Sequence, residues 1–323
     1  MTTFKEIRGT AIESVSSDPS NPEQGQIWYN NTIGILKGYR NVGSAWASGS
    51  NMAAARRGLG GAGTQTAGLG FGGSGVSNVY TNATEEYDGS AWAGGGNMGT
   101  TRAYLAGCGT QTAGLGFGGY VPPNSTATEE YDGSTWAGGG SMSTARRYLG
   151  GCGIQTAGLA FGGVIPGSSS ATEEYDGSSW TAGGNLATAR RYLAGAGTQT
   201  AGLGIGGYSG GNFANTEEYD GSAWTAGGSL GTARRQLAGA GTQTSALGFG
   251  GVTPSPGFSN VTQEYDGSTW TAGGNLATAR YALGGAGVQT SALAFGGSTA
   301  AQVANTEEYT GGTNLRIQKI TTS

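Results

Sequence analysis

The sequence predicts an all-β fold made of six copies of one four-stranded antiparallel unit, and three observations carry that expectation. The first is self-similarity. Trp46, Trp92, Trp136, Trp180, Trp224 and Trp270 recur every 44 or 46 residues, and the same register is kept by Tyr87, Tyr131, Tyr175, Tyr219, Tyr265 and Tyr309. Pairs of glycines ending at Gly73, Gly119, Gly163, Gly207, Gly251 and Gly297 follow it too. The second is that each period holds four short runs bounded by turn residues, which leaves no space for a helix of ordinary length. The third is composition. Of 323 residues, 68 are glycine, clustered as GAG and GLGFGG rather than at every third position, which excludes collagen. A period of this size matches propeller blades and exceeds one rung of a typical solenoid.

Within one repeat, the stretch LAGAG reads as the first strand and TQT as its turn. AGLGFGG reads as the second, because Leu69 and Phe71 alternate with glycine at the period of a strand. TEEY is the third. Asp-Gly then supplies the left-handed backbone angles of a tight hairpin, and the Trp run is the fourth. Strands bearing only Gly and Ala let neighbouring sheets converge on an axis. The Leu, Phe, Tyr and Trp of one sheet are therefore expected to lie on the bare glycine face of the next, burying apolar surface at about 25 cal/mol per Å². Glycine weakens a strand by about 0.5–1 kcal/mol relative to alanine, and a ring in which every sheet is flanked is the expected offset.

The order within a repeat (Arg190, Gly206-Gly207, Tyr219-Asp220, Trp224 in the fourth interval) resembles the kelch repeat over roughly residues 40–310. That resemblance implies a six-bladed β-propeller of four-stranded blades. Two features depart from it: the glycine content is higher than the family norm, and the last repeat reads Glu307-Glu308-Tyr309-Thr310, without the Asp or a following Trp. Trp46 lies upstream of the first complete repeat, where GYRNVGSAW parallels EEYDGSAW. Residues around 38–48 are therefore expected to complete the blade begun by residues 280–309, closing the propeller by pairing its N- and C-terminal strands. A seventh, partial blade is the competing count, since Tyr39 and Tyr309 both fit the third-strand slot.

The chain divides into an N-terminal extension (residues 1–34), the propeller (35–312) and a C-terminal strand (313–323). The pattern in DPSNPEQGQIWYN resembles segments of tail and other virion proteins of tailed bacteriophages, as do glycine-rich arrays of near-identical repeats. The resemblance implies a structural component of a phage particle, assembled in the host cytoplasm and partnered by other tail or capsid proteins, with a homo-oligomer as a further expectation. Ile27, Trp28 and Tyr29 are the candidate anchoring residues. The terminal run LRIQKITTS either adds a strand to a neighbouring sheet edge or covers an edge of its own propeller.

Chemistry is not expected. The chain has no histidine, the commonest general base and metal ligand. Sixteen of its 20 acids sit in the EEYDG segments, where repetition points to architecture; adjacent glutamates on a strand face opposite sides and form no dyad. Ten of the 16 basic residues are the repeat arginines between positions 56 and 280, expected to make exposed ion pairs worth about 0–1 kcal/mol each. The DGSxW turn lacks the spacing of sialidase Asp boxes, and no repeat carries a lone arginine cluster with a nucleophilic tyrosine. Copper chemistry of the galactose-oxidase type lacks its histidines, one Asp per turn is a poor calcium cage, and GLGFGG lacks the Lys-Ser/Thr of a phosphate loop. No catalytic residue, metal or cofactor is assigned.

A net charge of −4 offers no nucleic-acid footprint. No apolar run approaches the ~20 residues of a membrane span, and MTTFKEIRGT lacks a signal-peptide core. Cys108 and Cys152 align with alanines and read as packing residues, with a disulfide between adjacent blades left open. The segments that vary are those after each Gly-Gly, and they carry Tyr80, Tyr120, Tyr208, Phe213 and Phe258. Variable loops on a fixed scaffold are where recognition resides. These aromatics are the candidate contacts for a partner protein or, in the alternative reading of a receptor-binding module, for a host surface glycan or protein; the bland alternative is that they cap blade edges.

Overall fold

A computed structural model describes residues 12–18, 26–38, 43–255, 257–312 and 318–319. The chain forms two compact parts, Met1–Ser44 with Gly311–Ser323, and Ala45–Thr310. The larger part is a β-propeller-like array of four-stranded antiparallel sheets, and its helical content among the described residues is one short turn at Val76–Asn78.

The second repeat shows the plan. Ala106–Gly109 pairs with Gly114–Phe117, that strand with Thr128–Tyr131, and that with Trp136–Gly138. These are the four runs read from the sequence. The turn before the Trp strand is held by Asp132, whose Oδ1 accepts the N–H groups of Ser134 (2.8 Å) and Thr135 (2.7 Å), while Gly133 takes φ 93°. The sixth sheet draws its fourth strand from far upstream: Ala45–Gly49 runs antiparallel to Thr306–Thr310, with Trp46 opposite Tyr309. Trp46 thus stands where the last repeat lacks its own Trp. Tyr39, on which the competing count rests, lies outside the described residues.

Between sheets, bulk meets glycine as expected. A Cβ on Gly116 would lie 2.8 Å from Cε2 of Phe71 in the preceding repeat, and one on Gly239 would lie 2.6 Å from the Gly195 carbonyl oxygen. Phe71 and its equivalents Phe117, Phe161, Phe249 and Phe295 are fully buried. Polar bonds reinforce the same interfaces. In the second repeat the Tyr131 hydroxyl donates to Glu86, Trp136 Nε1 donates to Thr84 Oγ1 (2.9 Å), and Gln111 Nε2 donates to the carbonyls of Gly68 (3.0 Å) and Tyr87 (2.8 Å), all in the first repeat. The first repeat makes the same bonds to the sixth, through Tyr87 to Glu308, Trp92 to Thr306, and Gln65 to Ala292 and Tyr309. The TQT segment is therefore more than a turn, since its glutamine clasps the neighbouring sheet.

The expectation of exposed arginine–glutamate pairs is corrected. The first arginine of each repeat (Arg56, Arg102, Arg146, Arg190, Arg234, Arg280) is fully buried. Arg102 donates to the carbonyls of Gly118 (2.9 Å), Ala127 (2.5 Å) and Gly116 (3.2 Å) and to Glu129 Oε1 (3.0 Å), and Glu129 Oε2 accepts the Gly99 N–H at 2.6 Å. Short side chains around the Gly-Gly turn let the guanidinium fork reach these backbone carbonyls, of which that of Ala127 also accepts the Gly118 N–H at 3.0 Å. Such a pair acts by spending buried donors on buried acceptors; removing one partner strands a charge, at a cost of about 3–5 kcal/mol. In the fifth repeat Gln263 replaces the glutamate and accepts from Arg234 at 3.0 Å.

The two thiols are free and buried, and burial pushes the Cys152 thiol up to about 12. In the smaller part, Glu13–Val15 pairs parallel with Ile27–Asn30, which pairs antiparallel with Ile35–Gly38, which in turn pairs with Gln318–Lys319. This sheet takes in a strand beyond position 34. Asp18 ties it together, accepting from Trp28 Nε1 (3.1 Å), Asn30 (2.9 Å) and Lys37 (2.6 Å). Residues 19–25 of the DPSNPEQGQ segment and most of LRIQKITTS lie outside the described residues.

Two outcomes are expected. Replacing Gln263 with Glu gives Arg234 its carboxylate and an acceptor facing Gly231, so chemical unfolding should show a gain of about 1–3 kcal/mol; no gain would mean that the neutral amide serves as well. The pH profile of the melting temperature should have two edges. Turn N–H groups hold Asp132 and Asp176 at about 2, below their ordinary 3.8, so their contribution is present above about pH 4 and fades as pH falls towards 2. Burial, then the Glu86 contact, pushes Tyr131 up to about 12 from 10, so its contribution is complete below pH 10 and is lost as pH rises through 12.

Candidate binding face

Antiparallel pairing sends the start of each first strand and the end of each second strand to the same end of the sheet. The arginine-bearing segments and the variable post-Gly-Gly loops therefore share one end, and the TQT and DGS turns take the other. At the variable end, the residue after each buried arginine pairs with the residue after Gly-Gly, which pairs again with the returning loop: Ala103 with Tyr120 and Tyr120 with Asn124, Arg191 with Tyr208 and Tyr208 with Asn212. Arg57 pairs with Ser74 in the same way, and Ser74 bridges Tyr80.

The next residue in each repeat is Gly58, Tyr104, Tyr148, Tyr192, Gln236 or Ala282. Each donates its N–H to the carbonyl of its equivalent in the preceding repeat, from 2.6 Å (Tyr104 to Gly58) to 2.9 Å, and Gly58 donates to Ala282 at 2.8 Å. Together with the leucines that follow them, they line a cavity of about 130 Å³. All six hold left-handed backbone angles, with φ between 52° and 60°. Gly58 does so freely, whereas a side chain there costs on the order of 1–2 kcal/mol. Three tyrosines are nevertheless kept on consecutive repeats, and their rings pack at 4.4 Å (Tyr104–Tyr148) and 4.2 Å (Tyr148–Tyr192). Strain held at one such cluster is a pointer to function. Here the repeats stop being equivalent, a change visible in the sequence as RG, AY, RY, RY, RQ and YA.

Around this cluster stand Arg57, Arg147, Arg191 and Arg235, all half-buried. Among the described residues none of the four forms an ion pair, because the repeat glutamates are held by the buried arginines and the tyrosines. Arg57 donates to Asn78 and the Tyr281 hydroxyl (2.9 Å each), Arg147 to Asn124 (2.9 Å) and Arg235 to Asn212 (2.7 Å). Arg147 lies over the Tyr120 ring at 4.4 Å, and the Tyr208 ring carries Arg191 at 5.2 Å and Arg235 at 5.0 Å.

The loop aromatics named from the sequence thus fall into different settings. Tyr80, Tyr120 and Tyr208 belong to the arginine-bearing face; Tyr80 meets Tyr120 edge-on at 5.8 Å. Phe258 is exposed and stacks on Tyr281 at 4.8 Å. Phe213 is half-buried and serves through its backbone, donating to Gly207 and accepting from Arg234. Of the five rings, Phe258 is exposed and the other four are half-buried, and guanidinium groups lie over two of those four, Tyr120 and Tyr208. In the smaller part Trp28 is fully buried, Ile27 is half-buried, and Tyr29 is 41% exposed, close in exposure to Ile12 (40%) and Ile33 (52%).

Among the described residues no cluster of metal-ligating side chains occurs, and no helix is long and apolar enough to cross a membrane. Replacing Tyr208 with Leu removes two cation–π contacts and should lower stability by about 1–2 kcal/mol in urea unfolding; unchanged stability would mean that the ring serves only to be seen from outside. Neither a protein-family model nor a curated protein matches the chain.

Proposed function

We propose that the protein is a noncatalytic contact module, a closed six-bladed kelch-like β-propeller carried on a phage particle. In this reading one end makes contacts with other virion proteins and the smaller part attaches the propeller. The observation that carries it is the division of labour among polar side chains. The repeated Glu residues accept from Arg and Tyr, the Trp residues donate to threonines and the Gln residues to backbone carbonyls of the neighbouring sheet, which leaves the variable loops and the axial residues for recognition. Support for ring closure comes from the bonds of the first repeat to the sixth and from the pairing of Ala45–Gly49 with Thr306–Thr310. The phage assignment rests on the resemblance of the D-P-x-x-P-x-x-G-x-I-W-Y-N stretch to virion proteins. The exposed Tyr29 and Ile33, in a sheet pinned by Asp18, suit attachment.

The test is made in an infection where tagged full-length chain replaces the native copy. Wild-type protein should be found in purified particles, and Tyr29→Asp with Ile33→Asp should abolish incorporation while leaving the melting temperature of the repeat part unchanged. Retained incorporation would sink the attachment reading. Electron micrographs of the isolated protein should show a disc, and an elongated rod would sink the closed propeller.

A further inference from the structure

The four half-buried arginines of the variable end form a cationic surface on an acidic protein, with no carboxylate of the described chain to neutralise them. Three have a fixed partner, as Asn78, Asn124 and Asn212 hold Arg57, Arg147 and Arg235. Arg191 differs. The residue at the place of Asn124 and Asn212 is Ser168, too short to reach, and its hydroxyl turns instead to the Tyr208 carbonyl at 3.5 Å. No hydrogen bond joins the Arg191 guanidinium to any described residue; its buried Nε lacks a partner, as do those of Arg57 and Arg147, but its terminal nitrogens lack one as well. It is held in place by rings alone, Tyr192 at 5.6 Å and Tyr208 at 5.2 Å. A fork of donors, oriented by two aromatic faces and stripped of acceptors, is built to receive an anion bidentately.

We propose that this face binds an acidic saccharide chain, with Arg191 as the anchor for a carboxylate or sulfate group and the Tyr104–Tyr148–Tyr192 arc as the surface for a sugar ring. The chemistry around Arg191 favours a sugar over an acidic peptide. Tyrosine hydroxyls and the Gln236 amide line the adjoining cavity and offer both donors and acceptors. Sugar hydroxyls use both kinds, whereas side-chain carboxylates use donors only. Pyranose C–H faces also lie flat on aromatic rings. The cavity of about 130 Å³ is near the size that accepts a single small ring, so one residue of the chain enters and the neighbours lie across the outer arginines. The strained left-handed tyrosines fit this role, because glycine at those positions would remove the strain and the binding surface together. The inference does not depend on the phage reading.

The experiment measures binding of full-length protein by calorimetry to four probes: oligogalacturonate, its methyl ester, a sulfated glucan oligomer and polyglutamate. Oligogalacturonate or the sulfated glucan should bind, more weakly as salt rises, and which of them binds tells whether carboxylate or sulfate is read. Arg191→Met should weaken that binding at least tenfold and Arg191→Lys less, with a fall in melting temperature no larger than that of Tyr208→Leu, which also removes two cation–π contacts. Tyr192→Gly, which relaxes the backbone, should weaken binding without destabilising the fold, separating a binding role from a packing role. Equal binding of the methyl ester, tighter binding of polyglutamate, no binding of either acidic saccharide, or full affinity in Arg191→Met would each overturn the proposal.

Discussion

The contact between sheets governs this structure. Each sheet offers a floor of glycine and alanine and receives on it the Leu and Phe of the preceding repeat, as Gly114 and Gly116 receive Leu69 and Phe71. The separation is set by backbone, as where Gly239 approaches the Gly195 carbonyl, so a single methyl group would force the sheets apart. Close packing without voids makes such spacing intolerant of change. Composition, period and sheet geometry therefore have one cause, and the high glycine content is the condition for apolar burial rather than a sign of disorder.

A backbone with so few side chains has a second problem, which the buried arginines solve. Around the Gly-Gly turns lie buried carbonyls with capacity for a further hydrogen bond, even where a backbone N–H already reaches them, as Gly118 reaches Ala127. One guanidinium fork serves up to three of them and is itself neutralised by the first glutamate of the EEY run, as Arg102 and Glu129 show. The second glutamate faces the other way and accepts from the next repeat's tyrosine, as Glu86 does from Tyr131. Two adjacent acids thus have separate tasks, one within a sheet and one between sheets.

Strand order, turn positions and the bulk-on-glycine contact were legible because they depend on period and residue size, which repetition amplifies. The arginines were misread because pattern gives no depth: an arginine beside alanines and threonines looks exposed until the carbonyls it must reach are placed in space. The glutamine of TQT was hidden for a related reason, since a polar residue in a turn gives no hint that two carbonyls of the adjacent sheet lie within its span. The proposed binding face was written in a column where the repeats disagree (Gly58, Tyr104, Tyr148, Tyr192, Gln236 and Ala282), but reading it needed the left-handed backbone and the missing amide beside Arg191. Loop aromatics drew attention by type, and only geometry divided them into those under guanidinium groups and those such as Phe213 that serve through the main chain.

The pairing of Ala45–Gly49 with Thr306–Thr310 joins a segment made before the first repeat to one made in the last. Until the ribosome has released the last repeat, the Trp46 strand has no mate, and the five earlier sheets must wait with a bare flank. Loop closure over such a span is entropically slow. Maturation of the array is thereby tied to synthesis of its sixth repeat, and a product truncated before Thr306 is left with the Trp46 strand unpaired.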